Sequence, residues 1–319
     1  MNNLGIMVVL ALVFGLEAGF PGVVVRLGHF PNVTHTQALV AHSMSRKGDG
    51  WFERRLGPEV EIQWFIYNAG PAAMEAIFAN SIDATYVGPS PALNAYVRSG
   101  GREIRVIGGA ATGGAALVVQ SDERIKIPAD FRGKKVATPG FGNTQDVACR
   151  MWLMAQGFKV TQLGGDVQVI PTANPDQLSL FQRGAIDAAW TVEPWVSRLE
   201  LEAKAKVYLE QNDAITTVLV CGVKFLKQRR DLAAKLVQAN AELTDWINDH
   251  PIEAKKLVRA ELAAEMKRDF SAELIEHAWN RLRFGSDISR AQLEHFLADA
   301  QKTGFLQETV DLSHLVEVP

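Results

Sequence analysis

Cysteine is nearly absent. Cys149 and Cys221 are the only two in 319 residues, 72 positions apart, which is too few for a disulfide scaffold and matches no zinc-ligand or redox spacing. Both read as buried thiols, and whether they are bonded to each other stays open. An excess of one charge is missing too: 33 Lys and Arg stand against 36 Asp and Glu, a net −3, with no block of five like charges. That excludes the basic face that nucleic-acid binding needs. Residues 4–16 are the only membrane-like run, and they fall short of the ~18 apolar residues of a spanning helix. Enzyme signatures are also lacking: there is no G-x-x-x-x-G-K-[ST], no G-x-S-x-G, no H-E-x-x-H and no C-x-x-C. Gly140-Phe141-Gly142-Asn143-Thr144-Gln145 begins like a dinucleotide fingerprint but has no third glycine.

What is present is apolar substance, 47% of the chain, which excludes disorder and suits two compact domains at roughly 100–200 residues each. Residues 1–22 read as a signal-like segment, although Met1-Asn2-Asn3 lacks Lys and Arg and no small-x-small site or lipid-accepting Cys follows. The fold is expected to begin near Val23. From there strand-like runs alternate with helical ones, the pattern of an α/β protein with largely parallel sheets. Strands are expected at 23–27, 59–64, 82–87, 104–107, 133–138, 167–170, 186–191 and 216–223. Residues 59–64 alternate strictly between apolar and polar, so this strand belongs at a sheet edge. Helices are expected at 36–45, from Asn68 as cap and Pro71 to about 78, at 145–156 and at 175–182, with helix throughout from Phe225 to the end. Trp246, Leu257, Leu262, Trp279 and Phe296 are core candidates there. The Gly-rich stretch 108–114 reads as the crossing between domains. An internal echo supports two related units: Ile82-Asp83-Ala84 after a helix is matched 104 residues later by Ile186-Asp187-Ala188.

In open α/β sheets ligands lie beyond the carboxyl ends of strands, against helix N-termini. Here those loops (29–34, 68–71, 88–91, 112–114, 142–144 and 193–195) are rich in Gly, Asn, Ser and Thr. Such loops expose N–H donors and suit a small oxyanion held without any Arg. His29, His35 and His42 are spaced six and seven apart, which does not place them on one helix face, so no metal site is expected and loop hydrogen bonding is the reading. Tyr86 and Trp190 read as core, Tyr67 as a possible pocket wall, and Trp195 stays open between core and cleft.

The run Val25-Arg26-Leu27-Gly28-His29-Phe30-Pro31-Asn32-Val33-Thr34-His35 resembles the opening of solute-binding proteins of bacterial ABC importers for nitrate, sulfonates and taurine. So do Asn68-Ala69-Gly70-Pro71, Gly88-Pro89-Ser90-Pro91, the stretch 108–114, Arg132-Gly133-Lys134-Lys135-Val136-Ala137 and Glu193-Pro194-Trp195. The resemblance implies a two-lobed periplasmic binding protein of type II. Each lobe would be a mixed, mostly parallel sheet flanked by helices, with two crossing segments, lobe I being 23–112 plus 217–319 and lobe II 113–216. It further implies no enzymatic activity, no cofactor, an exported monomer, and delivery of a small anion to a membrane permease after lobe closure. Carried over by position, Asn32, Thr34, Asn68, Gly70, Gly88 and Ser90 are first-lobe ligand contacts. Gly114, Asn143, Thr144, Glu193 and Trp195 are second-lobe contacts, and Thr217 lies at the return crossing. An aliphatic sulfonate is the expected ligand. Glu193 tilts the expectation toward an aminosulfonate such as taurine, whose amino group it would pair with, unless that carboxylate only braces the hinge. Two alternatives remain: a nitrate- or bicarbonate-type binder, and a binder or enzyme for a thiamine-pyrimidine precursor with His29, His35 or Cys149 as its reactive group. A sensor role in place of transport is equally open.

Overall fold

The computed structural model describes residues 22–161, 164–308 and 310–319, so the signal-like segment, apart from Gly22, lies outside the described residues. The apolar runs become thirteen strands there: β1 (Val23–His29), β2 (Val60–Ile66), β3 (Ala84–Val87), β4 (Ile104–Gly113), β5 (Ala115–Val119), β6 (Lys135–Thr138), β7 (Val160–Thr161), β8 (Gly164–Gly165), β9 (Gln168–Pro171), β10 (Ala188–Val192), β11 (Lys206–Gln211), β12 (Ile215–Gly222) and β13 (Leu282–Phe284). Two sheets carry the molecule, ordered β13-β4-β12-β3-β1-β2 and β11-β5-β10-β6-β9, with β7 and β8 a separate hairpin. We take each large sheet with its helices as one lobe. The chain leaves the first sheet at Gly114 and re-enters it at Ile215, and the two crossings lie side by side, Gly113 N–H donating to Ala214 O at 2.9 Å.

Both sheets are mixed. Pairing is parallel where β-α-β units alternate (β1 with β2 and β3, β6 with β9 and β10). It is antiparallel where the crossing strands enter (β12 with β3 and β4, β5 with β10 and β11). The strictly alternating strand β2 does sit at an edge. Each sheet is covered on both faces. In lobe I one apolar layer contains Leu39, Phe52, Leu236, Leu243 and Val258, and the other contains Met74, Ile77, Leu93, Tyr96 and Phe296. In lobe II Phe131, Leu153 and Trp190 lie on one face, Phe181, Val196 and Leu199 on the other. Tyr86 and Trp190 are core residues whose polar tips are satisfied by Asn240 Oδ1 at 2.7 Å and Gln211 Oε1 at 3.0 Å.

The internal echo has a structural counterpart. β3 and β10 hold the same place in their sheets, antiparallel to a crossing strand on one side (β12 or β5) and parallel on the other to a strand (β1 or β6) that also pairs in parallel with β2 or β9. Asp83 and Asp187, just before them, do the same work: Arg26 N–H donates to Asp83 Oδ2 at 2.8 Å, and Lys135 N–H to Asp187 Oδ2 at 2.9 Å. Each carboxylate thus ties a strand to the one beside it.

Three expectations change. The stretch 108–113 is part of β4 and not a loop, because Gly109 admits the backbone of 285–287 against the strand where any Cβ would overlap Asp287 O. The crossing itself shrinks to Gly114. Asn68 does not cap the helix Gly70–Phe78, whose cap position is Ala69 without a side-chain bond. The C-terminal region is helical over Arg230–Asp249, Pro251–Met266, Ala272–Trp279 and Arg290–Lys302, but β13 interrupts it by pairing with β4. Cys149 lies in the lobe II core and Cys221 on β12 of lobe I, and both are free, buried thiols.

Candidate ligand-binding site

A small cavity of about 30 Å³ lies between the lobes. Helix starts from both sides surround it. From lobe I come Thr34 and His35 ahead of Thr36–Arg46, Asn68 ahead of Gly70–Phe78, and Gly88 and Pro91 at the start of Pro89–Arg98. From lobe II come Asn143, Thr144 and Gln145 at the start of Thr144–Ala155 and Asn174 at the start of Asn174–Gln182. Phe30, Asn32, Pro139, Val192 and Thr216 complete the wall. Free N–H groups and dipole ends of positive sign therefore converge, although the wall holds no Lys, Arg, Asp or Glu. His35 does not add a charge: burial holds its imidazole well down, at about 3, with His29 nearby acting in the same direction.

Four polar side chains of the wall share one property. Asn143 Oδ1 accepts from Gly70 N–H at 3.0 Å, and Thr144 Oγ1 accepts from Ser90 N–H at 3.2 Å, both across the lobes. Asn32 Oδ1 accepts from Trp195 Nε1–H at 2.8 Å and from Asn174 Nδ2–H at 3.5 Å. His35 Nδ1 accepts from Phe30 N–H at 3.4 Å, which places the ring proton on Nε2. In each residue the acceptor is taken by protein. The donors that remain are Asn143 Nδ2, the Thr144 hydroxyl, Asn32 Nδ2 and His35 Nε2, none of which donates to a protein group among the described residues. These bonding patterns also set the amide orientations. These four residues thus keep donors that suit a ligand rich in acceptors.

Of the residues selected from the sequence, Asn32, Thr34, Asn68, Gly88, Asn143 and Thr144 line the cavity. Gly70 and Ser90 stand behind it and present their N–H groups to Asn143 and Thr144. Trp195 is buried and reaches the site only through Asn32. Gly114 lies at the crossing, where its carbonyl accepts from Glu193 N–H at 2.8 Å. Two residues face elsewhere. The Glu193 carboxylate is fully buried, accepting from Ser197 N–H and from Arg281 Nη1, each at 3.1 Å, so it braces the hinge and does not meet the cavity. Burial pushes it up to about 7, with Arg281 and Ser197 opposing. Thr217 is buried behind the wall and its neighbour Thr216 takes the cavity position, because the β12 register shifts between Ile215 and Thr217. His35, Pro139, Gln145, Asn174 and Thr216 were not selected. Gln145 adjoins the marked loop 142–144, whereas nothing in the sequence singles out Asn174 or Thr216.

A sequence model described as the NMT1-like family matches residues 19–264, over three quarters of the chain. The chain belongs to the NMT1-like family. This NMT1-like protein is 24% identical over 284 residues to the "Putative aliphatic sulfonates-binding protein" of Bacillus subtilis (strain 168), covering 85% of this chain and 81% of that one. Among solved structures it is similar to the alkanesulfonate-binding protein SsuA from Xanthomonas axonopodis pv. citri bound to MOPS, with a TM-score of 0.77 at 18% identity, covering 93% of this chain and 98% of that one. It is also similar to the periplasmic nitrate-binding protein NrtA from Synechocystis PCC 6803, with a TM-score of 0.74 at 14% identity, covering 90% and 83%. The NMT1-like protein has the fold of periplasmic binding proteins. Its described residues include no helix long and apolar enough to cross a membrane.

Of the reactive groups weighed from the sequence, only His35 of this NMT1-like chain faces the cavity. His29 lies outside its lining, and Cys149 is packed in the lobe II core with burial pushing its thiol up.

Proposed function

We propose that this NMT1-like protein is the solute-binding component of an ABC importer and captures an aliphatic sulfonate between its lobes. It works outside the cytoplasm, and it passes the ligand to a membrane permease without chemical change. One observation carries the reading: Asn32, His35, Asn143 and Thr144 each spend an acceptor on protein and keep a donor, while Thr216 and Asn174 donate within the protein, to Ala111 O and Asn32 Oδ1. A sulfonate is three acceptor oxygens sharing one charge, so it answers those four donors. Neutral donors and helix N-termini supply the counter-potential that a buried anion requires.

Two further features refine the ligand. Next to the cavity, sharing Pro91 with it, is a groove of about 250 Å³ open to solvent, lined by Pro71, Met74, Phe78, Phe141 and Phe305 together with the charged Glu75 and Arg98. That surface suits an organic tail and is wasted on nitrate or bicarbonate. With Glu193 bonded to Arg281, the cavity has no carboxylate for an amino group, which favours a simple alkanesulfonate over taurine.

Thermal unfolding of the purified protein against alkanesulfonates, taurine, nitrate, bicarbonate and a thiamine-pyrimidine precursor tests the proposal. A ligand at 100 times its dissociation constant adds about 2.7 kcal/mol of stability, and the largest shift is expected with an alkanesulfonate. A larger shift with nitrate or taurine overturns the ligand assignment, and conversion of any added compound overturns the reading as passive capture.

A further inference from the structure

Lobe I holds a second cluster of ligating side chains, separate from the interlobe cavity. His29 ends β1, His42 lies on Thr36–Arg46, and Glu261 and Glu265 sit one turn apart on Pro251–Met266. The Glu265 Oε1 atom is 2.6 Å from His29 Nε2 and 3.1 Å from His42 Nδ1, and Glu261 Oε1 is 2.9 Å from His42 Nδ1. One ligand atom each from His29, His42 and Glu265 falls within 4.8 Å of the others. The side chains of His29 and Glu265 are wholly buried, and that of His42 is 9% exposed. Trp64 closes the cluster, stacked on the His42 ring at 5.1 Å and set edge-on to His29 at 5.4 Å.

We propose that His29, His42 and Glu265, with Glu261 beside them, form a site for a divalent transition-metal ion, zinc fitting best. Two imidazole nitrogens and a carboxylate oxygen are a donor set that suits zinc or its neighbours better than calcium or magnesium. Around a tetrahedral zinc, donors at 2.0–2.2 Å stand about 3.3 Å apart, so Glu265 would draw back from His29, now at 2.6 Å, and barely at all from His42, now at 3.1 Å, with the three ligand atoms already within 4.8 Å of one another. Two observations beyond proximity point to a cation. Glu265 Oε2 is buried with no donor of any kind, so half of a wholly buried carboxylate is unanswered. The cluster also encloses two carboxylates, and its one fixed cation, Arg46 on Glu261 at 2.8 Å, has a side chain 47% exposed. A divalent ion matches the two buried charges. The inference does not rest on the sulfonate reading, because no cluster residue lines that cavity.

The test uses the full chain stripped of metal by a chelator. Zinc is added, excess is removed by gel filtration, and retained metal is counted by mass spectrometry; one equivalent per chain is expected. Cobalt(II) in its place is expected to give the visible absorption of a four- or five-coordinate ion and to quench Trp64, a quench that Trp64→Phe removes while binding persists. His42→Gln and Glu265→Gln are expected to weaken zinc by more than the ~10–100-fold that loss of an outer-shell partner costs. No retained zinc, or equal retention by folded His42→Gln and Glu265→Gln, overturns the site. Should those variants fail to fold, cobalt(II) that binds the native chain without quenching Trp64 overturns it as well.

Discussion

Gly88 is where lobe closure can be weakened without touching either lobe's fold. Its backbone, φ −67° and ψ 153°, is open to any residue, so alanine brings no strain of its own. A methyl there would overlap Thr144 Oγ1 of the opposite lobe and meet nothing else closely, Thr216 O being 3.7 Å away. The Thr144 hydroxyl must then turn aside and give up the Ser90 N–H it accepts at 3.2 Å. A buried donor left unpaired costs about 1–3 kcal/mol. Since the contact exists only between closed lobes, that cost falls on ligand binding, a loss of roughly 5–150-fold in affinity. The ligand-free protein should melt within the ~0.5 kcal/mol typical of a neutral surface change. Calorimetric titration with the alkanesulfonate that shifts melting most, on Gly88→Ala, Thr144→Ala and the double variant, measures it. Removing the hydroxyl removes the overlap, so the double variant should bind like Thr144→Ala alone. Losses that simply multiply, or a ligand-free Gly88→Ala protein that melts as much lower as its binding weakens, refute the reasoning.

Other consequences can be checked directly. Asn32→Ala strands the buried Trp195 Nε1–H and cuts the link to Asn174, so ligand affinity should fall by the equivalent of about 1–3 kcal/mol; unchanged affinity removes Asn32 from the closed wall. Glu193 titrates near 7 when folded against about 4.5 when unfolded. Its raised value means stability that is full below about 4.5 and is lost as pH rises through 7, by roughly 3 kcal/mol. Denaturant midpoints of the native protein should therefore fall over that window relative to Glu193→Gln, and parallel profiles would contradict the assignment. Cys149 and Cys221 are buried, and burial pushes the Cys221 thiol up to about 12, so an aromatic disulfide reagent should label neither in the native protein and both after unfolding.

The order of strands and helices was legible because β-α-β units announce themselves by alternation and by Gly, Pro and Asn at the joins. The edge position of β2 followed from its strict two-residue period, and the presence of two related units from a short repeat, although the tying role of Asp83 and Asp187 showed only in the structure. Elements that depend on remote partners were not legible: β13 is three residues long and exists because β4 offers an edge, and β11 joins β5 on the far side of its sheet. The same limit applies to the site. Loop composition picks out Asn143, Thr144 and Asn32, but their conversion into pure donors needs Gly70, Ser90 and Trp195, which lie 73, 54 and 163 residues away. Thr216 displaced Thr217 through a register irregularity that leaves no mark in composition. His29 and His42 looked unrelated on a single-helix spacing, since one ends a strand and their carboxylates arrive more than 220 residues later.

A wall without any ionised side chain also governs how a ligand arrives. Charged binding sites draw oppositely charged solutes from a distance, and salt screens that pull within about 10 Å at 0.1 M. The donors and helix ends here act at short range, so the wall itself adds little salt dependence to capture, and any that is measured comes from charges elsewhere on the surface.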